Sequence, residues 1–416
     1  MGGTAKLEAP SSKVMVPIIG TSTAIAMLST SKTTSVHAAA TIEIQQVTNR
    51  RLLNAFVKFP WQIYANDPVW VPPLIHDVKE FLNPSKHPYL LHGEAAPFLA
   101  FRKGEVVGRI LASDDPSRAE ETGENRGCFG MFESIDDPAV AKRLIEAASD
   151  WLRARGRSWM LGPIDYSNNY PCGLLVEGFD TPPRYMMNHH PPYYADLLTS
   201  CGLAKSKDLY AWWFVDPNDI LAKWRRLAER AARRDAVTIR TFRRNDFDNE
   251  VRRCQEVYHG TQKDSWAYTR LTEAEFQYMA RRMAQFGISD QVLLAEVEGK
   301  PVGFSITLPD INEAIKPLNG RLTRFGLPLG AIRLAWRIRR IKTARMLALC
   351  VLDGYRHRGI GELLVLNTLE YGKHTIGYTG AELGWTVEGN DAIGRVIERV
   401  GARRYKTYRV YEKTLA

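Results

Sequence analysis

Apolar and polar residues begin to alternate at Ile42, where Ile42-Glu43-Ile44-Gln45-Gln46-Val47 has the period of a strand. Asn49 stands where a capping side chain would open a helix from Arg50 to about Phe59. Asp67-Pro68-Val69-Trp70-Val71-Pro72-Pro73 reads as extended, because a proline biases the residue before it away from helical backbone. Phe98 to Ile110 then gives two short strands across a Lys103-Gly104 turn, and Cys128 to Ile135 gives another. Pro138 to Arg155 has helical periodicity behind a capping aspartate, Asp136 or Asp137, and Trp159-Met160-Leu161 is again a strand.

The second half of the chain repeats this order. Leu294-Ala295-Glu296-Val297-Glu298-Gly299-Lys300-Pro301-Val302-Gly303 aligns without a gap on Leu99-Ala100-Phe101-Arg102-Lys103-Gly104-Glu105-Val106-Val107-Gly108. Each half closes with a helix, a glycine (Gly202 or Gly401) and an aromatic strand, Asp208 to Phe214 or Thr407 to Tyr411. A repeat of this length is two copies of one domain rather than a solenoid. The pattern predicts an α/β fold with a mixed sheet in each copy, 41–216 and 237–416, joined by a basic helical linker over 217–236.

With 416 residues, 45% of them hydrophobic, the chain can fill ordinary cores. Its five cysteines are scattered and none stands in Cys-x-x-Cys spacing, so neither a disulfide framework nor a zinc site is expected and a reducing compartment is favoured. Residues 1–40 are rich in Ser, Thr and Ala. They read as a disordered tail, with a targeting segment as the alternative. No run has the length of a transmembrane helix, and the chain is expected to be cytoplasmic.

Two stretches stand outside the repeat. Gly162 to Tyr194 is crowded with Asn, His and Tyr and with turn residues, which predicts an irregular functional lid with Asn168, Tyr170, His189, His190 and Tyr193 as substrate-binding candidates. His189 and His190 are adjacent and have no further ligands at metal spacing, so no metal is expected. Ala314 to Leu352 holds nine Lys and Arg and no acid, and much of the net charge of +10 sits there. On a helix Leu334, Ile338 and Ile341 share one face, Arg333, Arg337 and Arg340 form the adjoining strip, and Trp336 lies beyond with Leu329 and Ile332. That composition suits an interfacial helix on the anionic inner face of a membrane, with a nucleic-acid patch or the rim of a ligand site as the alternatives. Aromatics are too sparse for base stacking, which argues against nucleic acid as a partner.

The stretch that carries chemistry runs from Leu347 to Val365. An apolar strand breaks at Asp353-Gly354, passes through Arg356-His357-Arg358-Gly359-Ile360-Gly361 and continues in helix formers. Backbone N–H groups at a helix start have no intrahelical partner and carry the positive end of the dipole, so they can hold a pyrophosphate where no side chain intervenes. The corresponding stretch of the first copy, Gly130 to Pro138, is acidic and lacks the glycine pair, so only the second copy is expected to bind an anion.

Val351-x-x-x-Tyr355-Arg356-x-Arg358-Gly359-Ile360-Gly361 resembles the acyl-CoA pyrophosphate loop of the GNAT N-acyltransferase superfamily, Arg/Gln-x-x-Gly-x-Gly/Ala after its fourth strand. Ala381-Glu382-Leu383-Gly384-Trp385 is similar to that family's fifth strand, and Asn390 followed by Gly401 to its Asn-x-x-Ala and Gly-Phe helix. The resemblance covers roughly Val237 to Ala416. It implies acyl-CoA as co-substrate, held by Val351, Arg356, His357, Arg358, Gly359, Ile360, Gly361 and Asn390, with backbone N–H groups around Cys350 and Val351 for the thioester oxyanion. A rim around acyl-CoA is then the ligand-site alternative for Ala314 to Leu352.

A protonated amine cannot attack a thioester, so a carboxylate is sought as base: Glu382 first, Glu388 second. Many family members carry a tyrosine seven residues after the asparagine as the acid; this chain has Ile397, which leaves Tyr405 or Tyr408 as a substitute, or no acid at all. The layout of the whole chain also resembles the bacterial ceramide synthases of that superfamily, which would make the amine a sphingoid base and the acyl group long. Acetylation of a soluble amine, tRNA-dependent aminoacyl transfer and a non-catalytic CoA-binding regulator stay open as alternatives.

Overall fold

The computed structural model describes residues 41–216, 224–225, 236–262, 266–285, 291–323 and 326–415. The expected tail over 1–40 and nearly all of the expected linker lie outside the described residues. From Thr41 onward the chain forms one compact unit.

The first half supplies β1 (Ile42–Gln46), α1 (Arg50–Lys58), α2 (Pro60–Ile63), α3 (Ile75–Phe81), β2 (Glu94–Arg102), β3 (Glu105–Asp114), α4 (Pro116–Thr122), β4 (Arg126–Ser134), α5 (Pro138–Arg153), β5 (Trp159–Gly162), β6 (Leu174–Glu177), α6 (Tyr194–Ser200) and β7 (Ala204–Phe214). The second supplies β8 (Val237–Thr241), α7 (Phe247–Gln262), α8 (Glu273–Ala284), β9 (Val292–Val297), β10 (Lys300–Pro309), α9 (Ile311–Ile315), α10 (Leu329–Ile338), β11 (Thr343–Val351), α11 (Ile360–Glu370), β12 (Gly380–Val387), α12 (Asp391–Arg399) and β13 (Arg403–Thr414). The Asn49 side chain accepts from the Leu52 amide to start α1, and Asp137 accepts from Ala139 to start α5.

The gapless repeat has a structural cause. Lys103-Gly104 and Glu298-Gly299 each put two consecutive residues in the left-handed region, which is what a tight two-residue hairpin between twisted strands requires. Beyond each turn the register slips at the same place, with Val107 and Val302 as the extra residue.

The strands form one sheet in the order β1-β2-β3-β4-β5-β13-β7-β12-β11-β10-β9-β8, with β6 pairing β13. The two halves therefore complete each other. The closing strand of the first, β7, pairs with β12 of the second, and β13 of the second pairs with β5 of the first. They pair with one another in the centre.

In the first half α5 buries Val140, Leu144, Ile145 and Leu152 against Ile110, Phe129 and Phe132. In the second, Leu363, Leu366 and Ile397 of α11 and α12 pack on Met346 and Leu383, while α7 and α8 cover the opposite side of the sheet through Val251, Cys254 and Phe276 on Phe304 and Cys350.

Two expectations need correction. Gly162 to Tyr194 is not a wholly irregular lid: it contains β6, and Tyr170, His189 and His190 are buried. Glu133 is no surface charge set to repel an anion. It is buried, its carboxylate accepts from Tyr64 and Tyr194, and Arg109 lies 3.4 Å away.

Candidate active site

In each half the fourth and fifth strands are parallel and separate after a few residues. In the second half β11 and β12 pair only from Thr343 opposite Gly380 to Met346 opposite Leu383, and Leu347 is an extra residue against β10. From Leu347 to Val351, β11 keeps β10 as a partner and loses β12, so its backbone groups on that side face a gap.

The helix start beside this gap is built for an anion. Gly359 has φ +78° and caps α11 without any side-chain hydrogen bond, leaving the first N–H groups of the helix unclaimed by a cap. A Cβ on Gly361 would meet only Val351 Cγ2, at 3.9 Å, so the approach is open. Arg356 braces the loop: it donates to the Thr261 carbonyl at 3.0 Å and pairs with Asp353 at 2.7 Å. His357 is exposed, and Arg358 lies over the Tyr355 ring. Asn390 caps α12 at the far end of β12.

The first half closes the same features with its own atoms. Its parallel pair runs from Arg126 opposite Trp159 to Cys128 opposite Leu161. The chain after β5 then fills the gap, with Ile164 N–H donating to Phe129 and the Asp165 carboxylate accepting from Met131 N–H at 2.9 Å. A Cβ on Gly130 would fall 2.3 Å from that carboxylate. At the helix start Pro138 lacks an N–H and Asp137 takes the next one, so an anion finds no donors left there. Burial pushes the Asp165 carboxyl up to about 6, the Met131 bond opposing.

Glu382 is fully buried. Its carboxylate lies 2.8 Å from Arg345 Nε and accepts from the Tyr405 hydroxyl. Arg345 also donates to the Tyr185 carbonyl at 2.9 Å and the Gly384 carbonyl at 3.1 Å. Arg345 is thus no part of a basic surface, although it belongs to the acid-free run of the sequence. Glu388 is held on the rim by Lys205 at 2.8 Å and the Asp208 N–H, which keep its carboxyl below the usual range. Tyr408 is fully buried on β13, with β7 and β12 between it and β11. Tyr405 is therefore the tyrosine that the fold brings to Glu382.

A cavity of about 360 Å³ opens between the halves. Trp70, Leu74 and Phe81 line it from the first half, and Met279, Met283 and Ile315 from the second. Arg282 of α8 ties the two walls by ion pairs to Asp77 at 2.9 Å and Glu80 at 3.1 Å. Of the five substrate-binding candidates, Tyr170, His189 and His190 line the cavity; Asn168 and Tyr193 do not. Tyr193 donates to the Ser134 carbonyl instead. Tyr185 lines the cavity, and its carbonyl accepts from Arg345, which lies in the part of β11 still paired with β12, ahead of the gap.

His189 Nε2 stands 2.7 Å from the Asp67 carboxylate. Burial lowers the imidazole from its ordinary value, with Asp67 opposing. Burial would raise the Asp67 carboxyl, but bonds from His189 and the Val69 N–H outweigh it and hold it low. Both shifts describe a neutral imidazole whose Nε2–H donates to an ionised carboxylate. Its Nδ1 then carries a lone pair, and among the described residues that atom has no hydrogen-bond partner. Sequence reasoning did not single out Asp67, 122 residues from His189.

A family model described as Acetyltransferase (GNAT) family matches residues 255–402. The chain is also 37% identical over 372 residues to the bacterial ceramide synthase of Caulobacter vibrioides, covering 87% of this chain and 95% of that one. The chain belongs to the GNAT family of N-acyltransferases. Protein YghO of Escherichia coli is 35% identical over 380 residues, covering 89% of this chain and 95% of that relative. Among solved structures, the tandem GNAT protein from the clavulanic acid biosynthesis pathway superposes with a TM-score of 0.54 at 13% identity, covering 90% of this chain and 99% of that one. At that identity the likeness concerns the fold, a mixed α/β sheet carrying two GNAT-type halves. GNAT proteins use acyl-CoA as co-substrate and acylate an amine, and the open gap and uncapped helix start of the second half are the features such a donor needs.

Proposed function

We propose that this GNAT enzyme transfers a long-chain acyl group from CoA to the primary amine of an amphiphile, a sphingoid base being the leading acceptor. The observation that carries the reading is the cavity between the halves, largely apolar, whose lining residue Tyr185 accepts from Arg345 of β11. A small soluble amine has no use for walls of Trp, Phe, Leu and Met, whereas each buried methylene of an aliphatic chain contributes about 0.8 kcal/mol. The ceramide synthase relative supports the same acceptor class.

In this reading the pyrophosphate of acyl-CoA rests on the N–H groups that follow Gly359, and the thioester lies in the gap, its developing oxyanion on N–H groups near Cys350 and Val351. The acceptor arrives as an ammonium and gives one proton to Nδ1 of His189, whose Nε2–H stays on Asp67. The free amine nitrogen attacks the thioester carbon, the C–N bond forms, the C–S bond breaks, and the second nitrogen proton passes to the departing thiolate. With a thiol pKa of roughly 8.5, that thiolate needs little acid assistance. Glu382 acts by position, fixing Arg345 and Tyr405 beside the gap.

The test pairs palmitoyl- and acetyl-CoA with sphinganine, polyamines and amino acids, follows thiol release and identifies the amide by mass. A palmitoylated sphingoid base is expected. Preference for acetyl-CoA and a water-soluble amine would return the protein to the general acetyltransferases.

A further inference from the structure

The helix α10 has two apolar faces, and the fold uses one. Leu334 and Ile338, with Ile341 just beyond, pack on Val71, Leu74, Ile311 and Ile315. The opposite side leaves Leu327 56%, Ile332 64% and Trp336 52% exposed, with Leu329 beside them. Arginines surround this patch: Arg333, Arg339 and Arg340 are exposed, and the Arg340 guanidinium lies 3.5 Å from the centre of the Trp336 ring. No aspartate or glutamate occurs from 314 to 352.

We propose that this face of α10 docks on the surface of an anionic lipid bilayer. Aliphatic and indole groups that project into water from an otherwise anchored helix need an apolar medium, and the arginines around them need anions at the same depth. A bilayer of anionic lipid offers both, acyl chains below and phosphates at the rim. A polynucleotide would engage the arginines and leave Ile332 and Leu329 in water. A second copy meeting this face by two-fold symmetry would set the same arginines against each other. Among the described residues no helix is long and apolar enough to cross a membrane, so the contact is with the surface. Ile311 and Ile315 of α9 touch both the buried side of α10 and the cavity, which puts the docked face one short helix away from it. The proposal does not depend on the acceptor's identity, because binding is read without turnover.

The experiment sediments the full chain with vesicles of phosphatidylcholine, alone or mixed with phosphatidylglycerol. Binding is expected only to the mixed vesicles, and is expected to fall steeply as salt is raised from about 0.1 M to about 1 M, where the screening length drops from about 10 Å to about 3 Å. Ile332→Glu combined with Trp336→Glu changes two exposed side chains; it should leave the melting curve intact and lower vesicle binding at least tenfold. Arg339→Gln with Arg340→Gln should narrow the difference between mixed and neutral vesicles. Absence of vesicle binding, equal binding to neutral vesicles, or undiminished binding by the first variant would overturn the proposal. So would a concentration-dependent dimer that the same variant abolishes without any vesicle binding, which would assign the face to a second copy.

Discussion

Replacing Glu382 by glutamine separates two roles for this residue. Glu382 has no exposed surface and Arg345 almost none, so the pair is a desolvated charge pair, joined in register across β11 and β12. Removing one partner of such a pair leaves the other charge buried and costs about 3–5 kcal/mol. Here Arg345 would keep its bonds to the Tyr185 and Gly384 carbonyls, and the glutamine oxygen could still receive Tyr405. Those remaining bonds place the expected loss near the lower end, about 3 kcal/mol. Urea unfolding of Glu382→Gln should show it as a lowered midpoint at unchanged slope. Combining Arg345→Met with Glu382→Leu removes both charges but leaves the Tyr185 and Gly384 carbonyls and the Tyr405 hydroxyl without these partners, so it should recover only part of the loss. The pH profile of the folded Glu382→Gln enzyme should keep its acid limb. A variant with wild-type stability whose turnover falls a hundredfold and recovers at high pH would instead make Glu382 the base.

Three further outcomes are expected. His189→Gln should lower turnover by about 10²- to 10⁴-fold and remove the acid limb of the rate profile, with acyl-CoA affinity unchanged; an unaltered profile would exclude His189 as the proton acceptor. Gly361→Trp should abolish binding of a CoA analogue while the protein stays folded, since a Cβ there meets only Val351, and Gly359→Val should lose stability as well through its left-handed backbone; undiminished CoA affinity in both would place the donor elsewhere. Asp165 has its folded carboxyl raised to about 6 from an ordinary 3.8, so between these values the native state binds more protons than the unfolded chain and stability falls as pH rises. Asp165→Asn keeps an oxygen for the Met131 N–H and should therefore gain up to about 3 kcal/mol over wild type above pH 6, a gain absent below about pH 4. A variant less stable than wild type at pH 7 to 8 would contradict this.

The features legible in the sequence are those with local causes. Lys103-Gly104 and Glu298-Gly299 announce two hairpins because only a few residue types occupy consecutive left-handed positions; Gly359 announces the helix start for a related reason, and Gly361 by leaving the approach clear. Asn49 and Asp137 marked their helices through a side-chain bond a few residues long. What could not be read depends on pairings between distant segments. Glu133 reads as a surface acid until Tyr64, Arg109 and Tyr194 are brought to it from three other elements. Arg345 counts toward a basic run until β12 delivers Glu382 beside it. The exchange of β7 and β13 between the halves left no mark in the sequence, because a strand's alternation shows which face is covered and not which neighbour it pairs with. Asp67 sits in a proline-rich stretch whose extended backbone was evident, and nothing there points to His189.

The proposed function puts the donor in the gap of the second half and the aliphatic chain in the cavity between the halves. It is tested most directly by a structure of the full chain with a non-hydrolysable palmitoyl-CoA analogue and sphinganine. Pyrophosphate density is expected on the N–H groups that follow Gly359, the carbonyl between β11 and β12, aliphatic density against Trp70, Leu74 and Met279, and the amine nitrogen on the side of His189 Nδ1. Pyrophosphate at the start of α5, or an empty cavity with both chains bound elsewhere, would contradict it.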